Sequence, residues 1–201
     1  DAIAVSDNVC FGASVADVSY GRSYDGANTW INFNPATPEA TNVQVGAERL
    51  VINEVLTVNT TSVTDNFGER EPWIELHNPN PDTVDLGGWF LFNQVGNPGQ
   101  HRFPFDNDSL RIPPGGFLLV YADNETHQGS LHVPFVLNSG PACIWLYKPN
   151  QAGSDSICFG AIAADQSYGR QFDDDPVWIS FPVPTPGATN YSPQAATALL
   201  N

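Results

Sequence analysis

The chain contains no methionine and one lysine, Lys148, and its seven lysines and arginines face 22 acidic residues in a length of 201. So few cations cannot displace the counterions of a phosphate backbone, which excludes a nucleic-acid partner and disfavours anionic membrane surfaces. Long apolar runs are also missing. The stretch Gly116 to Ala122 is strand-sized, so no membrane insertion is expected. No segment sustains a 3.6-residue period or a heptad, which excludes a helical fold and a coiled coil. The four histidines, His77, His101, His127 and His132, are scattered, and none stands at zinc-finger spacing from a cysteine. They read as structural. No nucleophile elbow accompanies any serine, so no catalytic residue, no cofactor and no enzyme is expected. A start at Asp1, with neither methionine nor signal peptide, fits a processed chain or an excerpt.

What is present points to many short strands. Seventeen glycines and 17 prolines punctuate the chain, and a 41% hydrophobic content with 12 Phe, 6 Tyr and 5 Trp is enough for a packed core. The net charge of -15 reads as the solvated surface of a secreted protein or of one adapted to salt, with cation binding as the alternative.

One stretch occurs twice. Cys158-Phe159-Gly160, Ser167-Tyr168-Gly169-Arg170, Trp178, Thr185-Pro186 and Ala188-Thr189-Asn190 reappear as Cys10-Phe11-Gly12, Ser19-Tyr20-Gly21-Arg22, Trp30, Thr37-Pro38 and Ala40-Thr41-Asn42. The offset is 148 residues at every pair, without a gap, and about half of the aligned positions are identical. The sandwich-sized body from Arg49 to Lys148 has no counterpart before Cys10. The chain therefore divides into a partial repeat (1–42), a linker (43–48) with Gly46 as hinge, a β-sandwich (49–190) and a tail (191–201). In the first copy, strands are expected around Val5 to Phe11, Ser19 to Arg22 and Trp30 to Phe33. Left alone, Val9, Phe11, Tyr20, Trp30 and Phe33 would present sticky edges to water, so this segment needs a sheet to join.

Within the body, strands are expected at Leu50 to Leu56, Trp73 to His77, Val84 to Phe92 (with a bulge at Gly87-Gly88), His101 to Phe105 at an edge, Phe117 to Tyr121 at the centre, and Leu131 to Leu137. Ala142 to Tyr147 and Asp155 to Phe159 form a hairpin. Seven or more antiparallel strands bounded by turns favour a β-sandwich over an α/β plan.

Five of these stretches together carry a family resemblance: Val51-Ile52-Asn53-Glu54-Val55, Trp73-Ile74-Glu75-Leu76-His77-Asn78-Pro79, Val84-Asp85-Leu86-Gly87-Gly88-Trp89, Ile112-Pro113-Pro114-Gly115-Gly116, and Tyr168-Gly169-Arg170 with Pro184-Thr185-Pro186-Gly187-Ala188. They resemble the lamin tail domain, in the family's order, from about Arg49 to Asn190. The resemblance implies an all-β, immunoglobulin-like antiparallel sandwich without catalytic residues. The absence of a rod segment sets the chain apart from nuclear lamins and makes the bacterial, extracellular or cell-surface type the nearer one. In that type the domain often occurs in tandem.

Candidate sites follow from the residues. With the hairpin turn centred between Asn150 and Gln151, Cys143 and Cys158 face one another, as a disulfide requires; the alternative is three small buried hydrophobes. Cys10 is the repeat-mate of Cys158. Asp106 and Asp108, and Asp173, Asp174 and Asp175, lie in predicted loops together with Asp123-Asn124-Glu125. They are candidate calcium ligands if the loops converge, and solvated turns otherwise. Trp73, Trp89, Trp145 and Trp178 are available for glycan or peptide contact, but strand alternation places most of them in the core. Arg22 and Arg170 are expected to stack and bond within their own segments, and Gly21 and Gly169 to mark a bulge or a close backbone approach. Two functions remain open. One is a self-associating or tandem structural module that uses the first copy for strand addition and grows filaments where the contact does not close. The other is a module recognising glycan, protein or calcium beside a larger extracellular enzyme or adhesin.

Overall fold

The computed structural model describes Val9, Ala16, residues 19–22 and 30–33, Pro38, and residues 49–190. The chain forms two compact units, Asp1–Glu48 and Arg49–Asn201. No α-helix occurs among the described residues.

In the first unit, β1 (Ser19–Arg22) and β2 (Trp30–Phe33) make an antiparallel hairpin, with Ser19 opposite Phe33 and Arg22 opposite Trp30. The ring of Tyr20 stacks on Trp30 at 5.8 Å. Val9 is half-buried and outside any strand. Phe11, Cys10 and the rest of the expected Val5 to Phe11 strand lie outside the described residues, as do the linker 43–48 and the tail 191–201.

The second unit is an antiparallel β-sandwich. Its first sheet contains β3 (Val51–Leu56), β4 (Trp73–His77), β8 (Phe117–Tyr121), β11 (Ser167–Arg170) and β12 (Trp178–Phe181), in the order β12-β11-β3-β4-β8. The facing sheet has β6 (Phe90–Phe92), β9 (Ala142–Tyr147) and β10 (Gly153–Phe159), ordered β10-β9-β6. A small ribbon pairs β5 (Val84–Asp85) with β7 (Arg111–Ile112). Alternation along the strands places Ile52, Val55, Ile74, Leu76 and Val120 of one sheet against Leu91, Ile144, Leu146 and Phe159 of the other, with Trp89 and Phe103 closing the core. Each of these side chains contributes about 1.5–3 kcal/mol by leaving water.

Four expectations are corrected. Phe117 to Tyr121 forms an edge strand, not a central one. It is apolar on both faces because Leu118 and Val120 face the core while Leu119 and Tyr121 pack on the outer face with Leu56, Trp73, Val63 and Leu131; residues 131–133 also bond its free edge at Tyr121, whose N–H donates to the Leu131 carbonyl at 2.7 Å and whose carbonyl accepts from Val133 N–H at 2.9 Å. Leu131 to Leu137 accordingly contributes only isolated bridges, at His132 and Val136, and no strand. Val84 to Phe92 is two strands in different sheets. Between them Trp89 N–H closes a turn onto the Leu86 carbonyl, and Gly88 takes φ +81°, where an added Cβ would lie 2.6 Å from the Phe105 ring. The expected His101 to Phe105 strand is reduced to a bridge between Arg102 and Phe90.

Candidate functional site

The most heavily bonded part of the molecule is the seam by which residues 153–190 close the sandwich. A bulge at Asn53 turns Glu54 to the outer face of the five-stranded sheet, directly opposite Glu75 on β4. Both carboxylates are fully buried, because the segment after β12 lies over them. Glu54 accepts hydrogen bonds from Thr185 (backbone N–H 3.1 Å, Oγ1 2.7 Å) and from the Ser167 hydroxyl. Glu75 accepts from Gly187 N–H at 2.6 Å and from Asn53 Nδ2 at 3.0 Å. Burial raises both carboxyls above the usual glutamate value, against the pull of these donors, and Glu75 is pushed up to about 8.

Around this pair the segment bonds the body at every step. Asn190 Nδ2 donates to the Asn53 carbonyl at 3.1 Å, and Asp173 Oδ1 accepts from Asn53 Nδ2 at 3.0 Å and from Asn190 N–H at 2.9 Å. Arg170 is buried: Nε donates to the Ile52 carbonyl at 2.8 Å, Nη2 to Asp155 at 2.7 Å and Nη1 to the Asp175 carbonyl at 2.5 Å, and the guanidinium lies 5.0 Å over the Trp178 ring. Asp155 Oδ2 also accepts from Ile52 N–H at 2.8 Å, and Ser154 Oγ donates to the Leu50 carbonyl at 2.8 Å. Asp165 accepts the Thr60 hydroxyl, the Thr60 N–H at 2.6 Å and the Thr61 N–H at 2.9 Å, and these donors, the Thr60 hydroxyl first, hold its carboxyl below the usual aspartate value. Gly169 is the close approach: a Cβ there would stand 3.0 Å from Glu54 Cγ and 3.1 Å from the Asn53 carbonyl oxygen.

Cys143 on β9 and Cys158 on β10 stand opposite one another and form a disulfide, with S–S 1.99 Å and Cα–Cα 4.0 Å. It sits on the outer face of the sheet, whereas Ile144 and Leu146 point inward. It thus bonds the first strand of the closing segment covalently to the body.

The aspartates singled out as calcium candidates do not meet. Asp106 is an exposed turn residue at φ 56°, and Asp108 is almost wholly exposed, 3.4 Å from Arg111. Asp173 belongs to the seam, Asp174 pairs with Arg49, and Asp175 accepts from Val177 N–H at 2.7 Å. Among the described residues, the groups that do converge are Asp65 and Asp123 with His132, and Glu69, Glu71 and Glu125, each with ligand atoms within 4.8 Å of one another. Burial and then the charges of Asp123, Glu125, Glu69 and Asp65 raise the Glu71 carboxyl. Of these, Asp123 and Glu125 carried a sequence signal as a predicted acidic loop. The buried glutamates carried one too: on the same strand face Glu54 is followed two residues on by Leu56, and Glu75 is preceded by Trp73.

Of the tryptophans, Trp73 and Trp89 are buried, while Trp178 packs half-buried on Tyr168. Trp145 lies half-buried on the outer face of β9, stacked on Phe92 at 5.5 Å, and lines an open groove of about 430 Å³ with Tyr147, Gly153, Ser154, Asp155 and Ser156.

An antiparallel sandwich closed by a hydrogen-bonded segment, whose donors take up the buried carboxylates of Glu54 and Glu75, defines a structural immunoglobulin-like domain. Residues 44–160 match the Lamin Tail Domain family, and the chain belongs to that family of non-catalytic modules. No curated protein and no solved structure matches the chain.

Proposed function

We propose that this chain is a non-catalytic structural module of a secreted or cell-surface protein, and that its N-terminal segment seats in the seam of a lamin-tail body other than the one residues 153–190 occupy. That body belongs to a neighbouring module or to a second copy. The observation that carries the reading is the identity of the docking side chains. Ser154, Asp155, Asp165, Ser167, Arg170, Asp173, Thr185 and Asn190 bond the body, and at the offset of 148 stand Ser6, Asp7, Asp17, Ser19, Arg22, Asp25, Thr37 and Asn42. Contacts not repeated are the exposed ion pair of Asp174, whose counterpart is Gly26, the turn bond of the Asp175 carboxylate, whose counterpart is Ala27, and the core packing of Ile162, whose counterpart is Ser14. The β1–β2 register, Ser19 to Phe33 through Arg22 to Trp30, matches Ser167 to Phe181 through Arg170 to Trp178 in β11–β12. Because residues 153–190 are adjacent to their own seam and disulfide-bonded to it, effective concentration favours them there, and the first copy is left for another body. The disulfide and the acidic surface support an oxidising, extracellular setting.

A chain ending at Lys148 tests this. Asn190 contacts Asn53. A first copy seated in the same way would therefore end near Asn53, about 13 Å from Arg49 along an extended strand. The linker 43–48 reaches roughly 20 Å. Residues 1–148 should therefore fold, closed by the first copy within the chain or between two chains, and should form a Cys10–Cys143 bridge on oxidation; residues 49–148 should not fold. If 1–148 is as unstructured as 49–148 and forms no such bridge, the reading fails. In the full chain, deletion of residues 1–42 should leave a folded monomer and remove concentration-dependent assembly in light scattering.

The Trp145–Tyr147 groove favours a second reading, glycan contact through an aromatic platform with polar neighbours. A saturable glycan signal lost on Trp145→Ala would support it.

A further inference from the structure

Three buried side chains meet where the loop between β3 and β4 touches the turn after β8 and the residues that bond the edge of β8. A carboxylate oxygen of Asp65, one of Asp123 and a ring nitrogen of His132 lie within 4.8 Å of one another. Asp65 is 8% exposed, and the side chains of Asp123 and His132 are 1% exposed each. In both aspartates Oδ1 is committed to the backbone of its own turn: Asp65 Oδ1 accepts Phe67 and Glu69 N–H at 2.8 Å each, and Asp123 Oδ1 accepts Glu125 N–H at 2.8 Å. That leaves Oδ2 of each. Asp123 Oδ2 stands 2.5 Å from His132 Nδ1, whereas Asp65 Oδ2 is buried with no hydrogen-bond partner.

The unpartnered Asp65 oxygen is the independent sign of a ligand. A buried carboxylate oxygen with no donor is costly and is normally paired or bound to a metal. Arg70, the nearest cation in sequence, turns its guanidinium to the Ser62 carbonyl instead. Even a protonated His132 would leave two carboxylates sharing one positive charge. The imidazole itself faces an oxygen on each side: Nδ1 meets Asp123 Oδ2, and Nε2 stands 3.2 Å from Asn66 Oδ1. A neutral ring has one N–H and can satisfy only one of them. A divalent ion between Nδ1 and the two Oδ2 atoms answers both shortages. It matches the charge of the two carboxylates, and it leaves Nε2–H to donate to Asn66, the outer bond that orients a metal-bound histidine.

From this geometry we infer a transition-metal site of zinc's class, with Asp65 Oδ2, Asp123 Oδ2 and His132 Nδ1 as its protein ligands and water in the fourth position. One imidazole nitrogen with two carboxylate oxygens is a donor set that zinc accepts, and the nitrogen disfavours calcium and magnesium, which take oxygen ligands. Donors each about 2.1 Å from one zinc ion stand roughly 3.4 Å apart in a tetrahedron, so Nδ1 and Asp123 Oδ2 separate by about 1 Å as the ion enters. Tyr121 stacks on His132 at 5.2 Å and Phe67 meets its ring edgewise at 6.2 Å, which holds the imidazole in place. Glu69, Glu71 and Glu125 form a separate group and are not ligands. The ion ties the 65–69 loop to residues 131–133, which bond the free edge of β8 at Tyr121. It thereby fastens the cover on an edge open to pairing with another strand.

The test uses the full chain carrying Cys10→Ser, so that this thiol takes up no zinc, stripped with chelator and titrated with zinc chloride in a calorimeter, with calcium chloride as the comparison. Melting curves in zinc and in EDTA accompany it. Saturable heat for one zinc per chain is expected, with calcium binding more weakly. At zinc about 100-fold above Kd, melting should rise by about 5 °C or more. Asp65→Asn keeps the Oδ1 acceptor and removes the ligand charge. In EDTA it should melt at or above the parent temperature, and its zinc-dependent rise should be lost. His132→Gln should weaken zinc binding about tenfold or more, whereas Glu71→Gln, in the separate glutamate group, should leave it intact. Absence of saturable zinc heat overturns the inference, as does undiminished binding in Asp65→Asn, tighter binding of calcium than of zinc, or a loss of binding confined to Glu71→Gln.

Discussion

The buried Glu75 makes the pH dependence of stability a direct probe of the seam. Unfolded, its carboxyl titrates near 4.5; folded, it is pushed up to about 8 by burial. Between those values the folded chain holds a proton that the unfolded chain releases, so stability falls as pH rises, by about 1.4 kcal/mol per pH unit. His101 works in the opposite sense. Burial pushes it down from 6.5 to about 4, so the unfolded chain binds the extra proton and stability is lost as pH falls below 6.5. From about 4.5 to 6.5 the two slopes roughly cancel, and Glu54, also raised, and His77, also lowered, add on opposite sides. Above 6.5 the histidines no longer titrate, and Glu75 alone should lower stability by about 2 kcal/mol by pH 8. Glu75→Gln should remove that fall, leaving only the contribution of Glu54. It should also expose the histidine slope, so the variant loses stability on acidification from about 6.5 to 4.5 where the wild type stays level. Denaturant unfolding at about pH 5, 6.5 and 8, followed by the fluorescence of the buried Trp73 and Trp89, measures both profiles. Parallel profiles for wild type and variant would refute the assignment of the buried proton to Glu75.

Three further outcomes follow from the same seam. Arg170→Ala leaves Asp155 and the Ile52 carbonyl without their buried donor and should cost about 3–5 kcal/mol in denaturant unfolding, and Arg170→Lys, lacking the planar fork, should recover little of it. Gly169→Ala forces a Cβ against Glu54 and Asn53 and should cost about 1–3 kcal/mol by the same measurement. Reduction, or Cys143→Ser, opens a 15-residue loop and should lower stability by up to about 3 kcal/mol, read as a drop in melting temperature under dithiothreitol.

Where a feature depends on short-range periodicity it was legible in the sequence. The hairpin arithmetic that sets Cys143 opposite Cys158 needs only a regular register and a turn centre, and the β9–β10 pairing keeps that register across the cysteines. The pairing of β1 with β2 follows from the repeat for the same reason. What depended on which piece of chain covers another was hidden. Phe117 to Tyr121 looked central because an edge strand covered by a loop carries the same two-faced apolar pattern as an interior one. Glu54 and Glu75 occupy outward positions, and although Leu56 and Trp73 mark that face as covered, what covers it is the return of residues 182–190, 131 positions after Glu54 and 112 after Glu75. Local density of aspartates marks an acidic loop in the sequence, whereas convergence is a property of two loops 50 to 60 residues apart.

The polarity of the seam explains why such a segment can be carried twice. A closing segment that docked through apolar side chains alone would bind any exposed sheet edge. Here the selective contacts are hydroxyl and amide donors aimed at two glutamates and an aspartate that takes up the Asn53 amide. Each is satisfied only on a body that offers an Asn53, a Glu54 and a Glu75 in register, because a mismatched partner leaves a buried polar group unpaired. Before docking, the same Ser, Asp, Arg, Thr and Asn side chains are well hydrated. The cysteine repeated at position 10 extends this logic. In residues 153–190 the bridge to Cys143 fixes a contact that the hydrogen bonds have already selected, and a first copy seated in another body would bring Cys10 to the same place opposite that body's cysteine. Recognition would then rest on the polar network and permanence on the thiol, two functions that one apolar interface could not separate.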